Sequence, residues 1–390
     1  AASGLTGMYN FVAYHYATAA SMRYNFGAIA FLYDPPTGGK SIHTGNLPTP
    51  SIINPADHFC SVVIDHDGTD TDGTCTFNLD TYEWLAWIKN IDGASEGWYI
   101  INSLNGANKY HTWESATQTT DANVMTVSGN QFTLGSTLGD KSYLVEFHKA
   151  GLASATAANE EGATNTIATT VNLVSGFGMS EFTGTGSNTT VGHGMDIAPA
   201  LTIPNNNTIA DGHYVLHTGT GDPDLRLNIG TNQSAADDSS NFNGSYPSAT
   251  VISLGSADRT NKSGSNIVLY YWHDVDSYSS FGSYEGSGAA DGTFINTGMY
   301  GNKNFVKNID SAYSWHSVST TEQGYNTASN PSLQFDNDGV GGGAAYDIVS
   351  NGLKMRTANA NYNSAQTFIY GSWGGTPIQG DGAINQGRAK

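Results

Sequence analysis

Apolar and polar residues alternate with a period of two along most of the chain, the spacing of strands whose successive side chains point to opposite faces. Cys60 to Asp65, Ser142 to Phe147, Thr169 to Val174, Ile267 to Trp272 and Thr367 to Trp373 all read as strands. No stretch carries a sustained 3.6-residue period; at most, a single helical turn fits Ala153 to Asn159. The pattern predicts an all-β fold of tandem, antiparallel β-sandwich-like domains joined by long Gly/Asn/Asp-rich loops.

The alternation also repeats at long range. Gly282 to Asn308 contains Ser283-Tyr284-Glu285-Gly286-Ser287-Gly288 and closes in Phe305-Val306-Lys307-Asn308. Met179 to Asn205 contains Glu181-Phe182-Thr183-Gly184-Thr185-Gly186-Ser187 and closes in Thr202-Ile203-Pro204-Asn205, while Cys60 to Asn90 closes in Trp87-Ile88-Lys89-Asn90. Each copy continues into an aromatic strand: Gly97-Trp98-Tyr99, Gly212-His213-Tyr214 and Ser314-Trp315-His316. Three units of roughly a hundred residues fit the usual domain size. The expected boundaries are 59–151, 178–276 and 277–375, with a linker at 152–177, an N-terminal β segment and Pro-rich linker at 1–58, and an extended tail at 376–390.

Composition narrows the function. Charged residues make up 13% of the 390, and the formal charge of -19 argues against nucleic acid or an anionic membrane surface, which both require a basic face. No apolar run approaches the roughly 20 residues of a membrane span. The chain opens Ala1-Ala2-Ser3-Gly4, without an initiator Met or a signal-peptide pattern, which suggests a processed or incomplete start. If Cys60 to Asp65 pairs with Thr74 to Leu79 as a hairpin, Cys60 faces Leu79 and Cys75 faces Ile64, so the two cysteines are expected to be separated free thiols.

Candidate chemistry is sparse. Asp65, Asp67, Asp70 and Asp72 gather four carboxylates within a Gly-containing bend, a set of hard oxygens suited to Ca²⁺. The competing reading is a solvated hairpin tip, since Asp and Gly are also good turn formers. No other cofactor is implied. His213 and His217 would share a strand face too far apart for one metal, and are expected to be half-exposed. Trp98, Trp113, Trp315 and Trp373 would stack on sugars if exposed, and otherwise belong to the core. Asp34 to Ser41 ends in Gly-Lys-Ser but lacks the earlier Gly of a phosphate-binding loop. Glu83, Glu114, Glu146 and Glu181 sit in no recognisable catalytic frame, so no catalytic residue is assigned.

The repeat resembles a domain found in tandem in virion structural proteins of marine bacteriophages. The resemblance rests on Ser283-Tyr284-Glu285-Gly286-Ser287-Gly288, Phe305-Val306-Lys307-Asn308 and Trp87-Ile88-Lys89-Asn90. Tyr33-Asp34-Pro35-Pro36-Thr37-Gly38 with Thr44-Gly45-Asn46-Leu47-Pro48-Thr49-Pro50 is similar to the end of the lectin-like (SPRY or concanavalin-type) sandwich that often precedes such repeats. The resemblance implies a non-enzymatic protein on the virion surface, such as a tail fibre, head fibre or capsid decoration. Its expected partners are copies of itself, other virion proteins and a host-surface glycan. The alternatives are a secreted carbohydrate-binding or carbohydrate-active protein, and an extracellular filament-forming or cell-surface adhesin subunit.

Overall fold

The computed structural model describes residues 49–377 except 94–95, 116, 323–325, 327–330, 338–339 and 344–345. The strands expected at Met8 to Tyr16 and Asn25 to Tyr33, the Gly-Lys-Ser turn and the tail beyond 377 lie outside the described residues. Twelve principal strands build three similar units. Unit 1 has β1 (Phe59–Asp67), β2 (Tyr82–Asn90), β3 (Tyr99–Asn102) and β4 (Asp140–Leu152). Unit 2 has β5 (Phe177–Thr183), β6 (Leu201–Asn206), β7 (Tyr214–His217) and β8 (Asn266–Trp272), and unit 3 has β9 (Ser280–Glu285), β10 (Lys303–Asn308), β11 (His316–Ser319) and β12 (Thr367–Trp373). In every unit the last strand returns between the first and second, giving the orders β1-β4-β2-β3, β5-β8-β6-β7 and β9-β12-β10-β11, all antiparallel.

The returning strands are apolar on both faces. In β8, Val268, Tyr270 and Trp272 point inward, while Ile267, Leu269 and Tyr271 point outward into a second cluster. The same division separates Ile369 and Trp373 from Phe368 and Tyr370 in β12. Strands buried on both sides lose the polar-out half of the alternation, which is why these stretches read as continuous apolar runs. Each outward cluster is covered by a small second sheet, such as Thr71–Thr74 with Gln131–Leu134 and Met125–Ser128 in unit 1. The inward faces of all three main sheets meet in one core, so each unit contributes to a shared interior as well as to a core of its own. Ile52, in the Pro-rich segment expected to be a linker, also packs into it.

At the centre of this core lie structurally equivalent residues. His148, Trp272 and Trp373 occupy the same position on β4, β8 and β12, opposite Leu85, Leu201 and Lys303. Their ring centroids are 5.4 Å (His148–Trp272), 5.4 Å (His148–Trp373) and 6.3 Å (Trp272–Trp373) apart. A cycle of ring-to-carbonyl contacts surrounds them. Trp98 Nε1 of unit 1 donates to the Gln334 carbonyl of unit 3 at 2.8 Å, and Trp315 Nε1 of unit 3 to the Asn228 carbonyl of unit 2 at 3.0 Å. His213 Nδ1 of unit 2 lies 3.3 Å from the Trp113 carbonyl of unit 1, completing the circuit.

The recurrent Gly-containing motif has an architectural explanation. A Cβ on Gly184 would stand 2.1 Å from the Lys262 carbonyl oxygen, and one on Gly286 1.9 Å from that of Ser364, so neither position accommodates a side chain. The turn that follows wraps a buried asparagine. Asn261 accepts from the Thr185 N–H (2.8 Å) and donates to the Ser187 carbonyl (2.7 Å); Asn363 accepts from the Ser287 N–H (2.9 Å) and donates to the Ala289 carbonyl (2.8 Å).

Several expectations are corrected. The 60–65/74–79 hairpin does not form: β1 pairs with β4 along its length, and Thr71–Thr74 leaves for the outer sheet to pair with Gln131–Leu134. Cys60 and Cys75 are free thiols, but they share the outer core of unit 1, where the Cys60 thiol donates to the Thr74 carbonyl. Burial pushes the Cys75 thiol up. In unit 2 the closing asparagine equivalent to Asn90 and Asn308 is Asn206, one residue later than the sequence echo suggests. All three accept the backbone N–H two residues on, at 2.8, 3.2 and 3.0 Å for Asn90, Asn206 and Asn308. Within 152–177 the helical turn and the strand expected from the pattern are both present, as a 3-10 turn at Ala153–Ala155 and as Ala168–Asn172, which joins the unit 2 sheet beside β5.

Candidate functional site

A surface cleft opens on unit 2, with a volume of about 590 Å³. Its floor is set by Tyr214, the first residue of β7, whose ring is buried at 4% exposure. Two of the chain's five arginines clamp that ring. The Arg226 guanidinium lies 4.3 Å from the ring centroid, from the strand Leu225–Asn228, and that of Arg259 lies 4.7 Å away, from the short helix Asp258–Asn261. Arg259 donates through Nε (3.1 Å) and Nη2 (2.8 Å) to Asp211 Oδ2, and through Nη1 to the Tyr214 hydroxyl. Arg226 Nε sits 3.5 Å from Asp238 Oδ2, an ion pair without hydrogen-bond alignment.

The guanidiniums are thus oriented before any ligand arrives, and planar donors held on an aromatic face lose little freedom on binding. The Ser240 hydroxyl, 2.5 Å from Asp238 Oδ1, holds that carboxyl below its ordinary range, so it remains an acceptor well into acid. Fully buried Asn241 lines the same cleft with its Oδ1 unpartnered. Lys262 completes a wall of mixed charge. Fixed donors and acceptors, with the carboxylates of Asp211, Asp238 and Asp258 facing Arg259 and Lys262, suit a neutral polyhydroxylated ligand better than an anion or an apolar molecule.

The residues singled out in the sequence lie elsewhere. Asp67 accepts from the Thr69 N–H (2.9 Å) and hydroxyl (2.6 Å), Asp72 from the Thr133 hydroxyl (2.6 Å), and Asp65 from that of Ser142 (3.4 Å). Asp70 is exposed at the bend, and among the described residues no three His, Cys, Asp or Glu side chains converge as metal ligands. His213 and His217 are buried rather than half-exposed, because β7 is covered by both neighbouring units. His213 Nε2 is 2.8 Å from Asn205 Oδ1, and His217 Nε2 donates to the Tyr370 carbonyl at 3.1 Å. Burial lowers both imidazoles to about 4. Trp98, Trp113, Trp315 and Trp373 belong to the shared core and present no sugar-stacking face.

Of the four glutamates, Glu83 lies 3.4 Å from the Thr156 hydroxyl, Glu181 is bonded by Asn266, and Glu146 is wholly buried beside Lys303. The cleft residues escaped sequence reasoning because Asp211, Arg226, Asp238 and Arg259 share no spacing motif. The rarity of arginine, with two falling within one repeat, was the available signal.

Among the described residues no helix is long and apolar enough to cross a membrane, a statement that does not bear on β-barrels. No curated protein and no solved structure matches the sequence. A family model does match, over residues 54–377, the span that runs from the entry of unit 1 to the end of unit 3. The chain belongs to that family, described as a domain of unknown function, DUF7483.

Proposed function

We propose that this protein is a non-enzymatic structural component exposed on a bacteriophage particle, as a tail fibre, head fibre or capsid decoration, and that its unit 2 cleft contacts a host-surface glycan. The observation carrying the structural half is the use to which the resembling motif is put. Gly184 and Gly286 and the buried Asn261 and Asn363 serve to fold turns, and none of their polar atoms is turned to chemistry. The glycan half rests on the clamped Tyr214 with its fixed Arg259, Asp238 and Asn241 groups. Assembly with other copies or virion proteins follows from the edge strands that each main sheet ends in, which need covering.

Mass spectrometry of purified particles tests the first half: the product is expected in many copies per particle, and its absence would refute virion membership. Glycan-array binding of the soluble chain tests the second. Arg259→Ala should weaken binding at least about tenfold, the scale of one lost charge-assisted hydrogen bond. Hydrolysis of a bound saccharide would instead favour the carbohydrate-active alternative.

A further inference from the structure

Lys303 and Glu146 form a charged contact that the saccharide cleft does not involve. Lys303 opens β10 in unit 3, Glu146 lies within β4 of unit 1, and both side chains are at 0% exposure. Nζ stands 2.8 Å from Glu146 Oε2. The pair lacks hydrogen-bond alignment, leaving Nζ and both carboxylate oxygens without a directed partner. The Trp98 ring lies 4.7 Å from Nζ and that of Phe335 5.8 Å, so the surroundings are aromatic and dry.

We propose that Lys303 and Glu146 condense into an intramolecular isopeptide bond that staples unit 3 to unit 1. The first step is transfer of a proton from the ammonium to the Glu146 carboxylate, giving a neutral amine and a carboxylic acid. The Nζ lone pair then attacks Glu146 Cδ, forming the C–N bond. As the tetrahedral intermediate collapses, one C–O bond breaks, the nitrogen gives up a proton, the departing oxygen receives one, and a single water leaves. The proton passes from the nitrogen to the departing oxygen of the same intermediate, so the transfer balances within the pair. No oxidant, reductant or activated donor is required.

Physical conditions favour each stage. Removing an isolated charge from water is costly, so a dry site drives an ion pair toward its neutral form, the form that can condense. Burial accordingly raises the Glu146 carboxyl. Holding amine and carboxyl in contact supplies the proximity a bimolecular amide synthesis lacks. The aromatic walls expel the released water and so oppose hydrolysis.

Intact-mass spectrometry of the denatured chain provides the test. The native protein should weigh one water less than its sequence requires. A tryptic digest should contain Ser142–Lys149 joined to Ser263–Lys307, with cleavage after Lys303 lost. Lys303→Met should show the full sequence mass. Lys303→Arg, which keeps the charge but cannot condense, should retain a native near-ultraviolet circular dichroism spectrum while remaining at full mass. A native protein at full mass, or a lost water mapping to another residue pair, overturns the proposal.

Discussion

Two junctions between units, both buried, satisfy their polar groups in opposite ways. Where unit 1 meets unit 2, every partner is neutral: Tyr270 Oη receives Asn102 Nδ2 at 2.9 Å and lies 3.2 Å from His111 Nε2, while Asn205 links His213 to the same hydroxyl. Where unit 1 meets unit 3, the partners are the charged Lys303 and Glu146, in contact but unaligned. These are nearly the same place in the fold, since Glu146 and Tyr270 occupy equivalent positions on β4 and β8. A repeated backbone therefore leaves its interior chemistry free to differ. Neutral groups can be satisfied by geometry alone, whereas buried charge is satisfied only by excellent pairing or by being removed.

Removing half of the charged pair should give the largest effect. Glu146→Ala strands a buried ammonium and should cost about 3–5 kcal/mol in denaturant unfolding. Glu146→Leu with Lys303→Met leaves no buried charge, so it should lose less than Glu146→Ala while falling short of the cross-linked native chain, and a double variant as damaged as Glu146→Ala would show that the stranded ammonium is not the main cost. Acid should act next. His213 and His217 bind protons near 6.5 when unfolded and near 4 when folded, so the unfolded state takes up protons first as the pH falls. Their stabilisation is full above about 6.5 and is lost on descending toward 4, on the order of a few kcal/mol each. The slope of stability against pH should be shallower in His217→Gln, and an unchanged slope would count against a neutral buried imidazole.

On the neutral side, Tyr270→Phe removes one hydroxyl and leaves Asn102 short of an acceptor, for an expected loss of about 1–3 kcal/mol. A loss as large as that of Glu146→Ala would erase the contrast between the junctions. The smallest effect belongs to the exposed bend of unit 1. Asp67→Asn with Asp70→Asn should leave the melting temperature unchanged, because both side chains face solvent. A melting temperature that chelator lowers in the native chain but not in this variant would establish a Ca²⁺ site there.

The strand alternation and the threefold echo were legible because they are local. Trp87-Ile88-Lys89-Asn90 and Phe305-Val306-Lys307-Asn308 occupy equivalent stretches of β2 and β10, and the aromatic strands opening at Trp98, His213 and Trp315 also correspond. Pairing over long separations was not legible. Cys60 finds Phe147 across the sheet rather than a residue of the next apolar run, because a returning strand takes the place that a hairpin partner would fill. The one-residue slip at Asn205 has a similar origin: Pro204 reads as the counterpart of a lysine only when register is judged by chemistry and not by cross-strand partners. The cleft was invisible because its groups come from two strands, a short helix and the turns carrying Asp211, Asp238 and Asn241, whose proximity only the folded chain provides.

The circuit of Trp98, Trp315 and His213 contacts carries a consequence for evolution and engineering. Each unit seats a ring in the backbone of the one before it, unit 1 reaching round to unit 3, and Gly374 at the end of unit 3 abuts Phe59 at the start of unit 1. The order of units is therefore circular in space, although it is linear in the gene. A cyclic reordering of the units preserves the circuit, provided that the segment carrying Ile52 still reaches the shared core. Excising one unit, by contrast, would break two links of the circuit and expose the shared core.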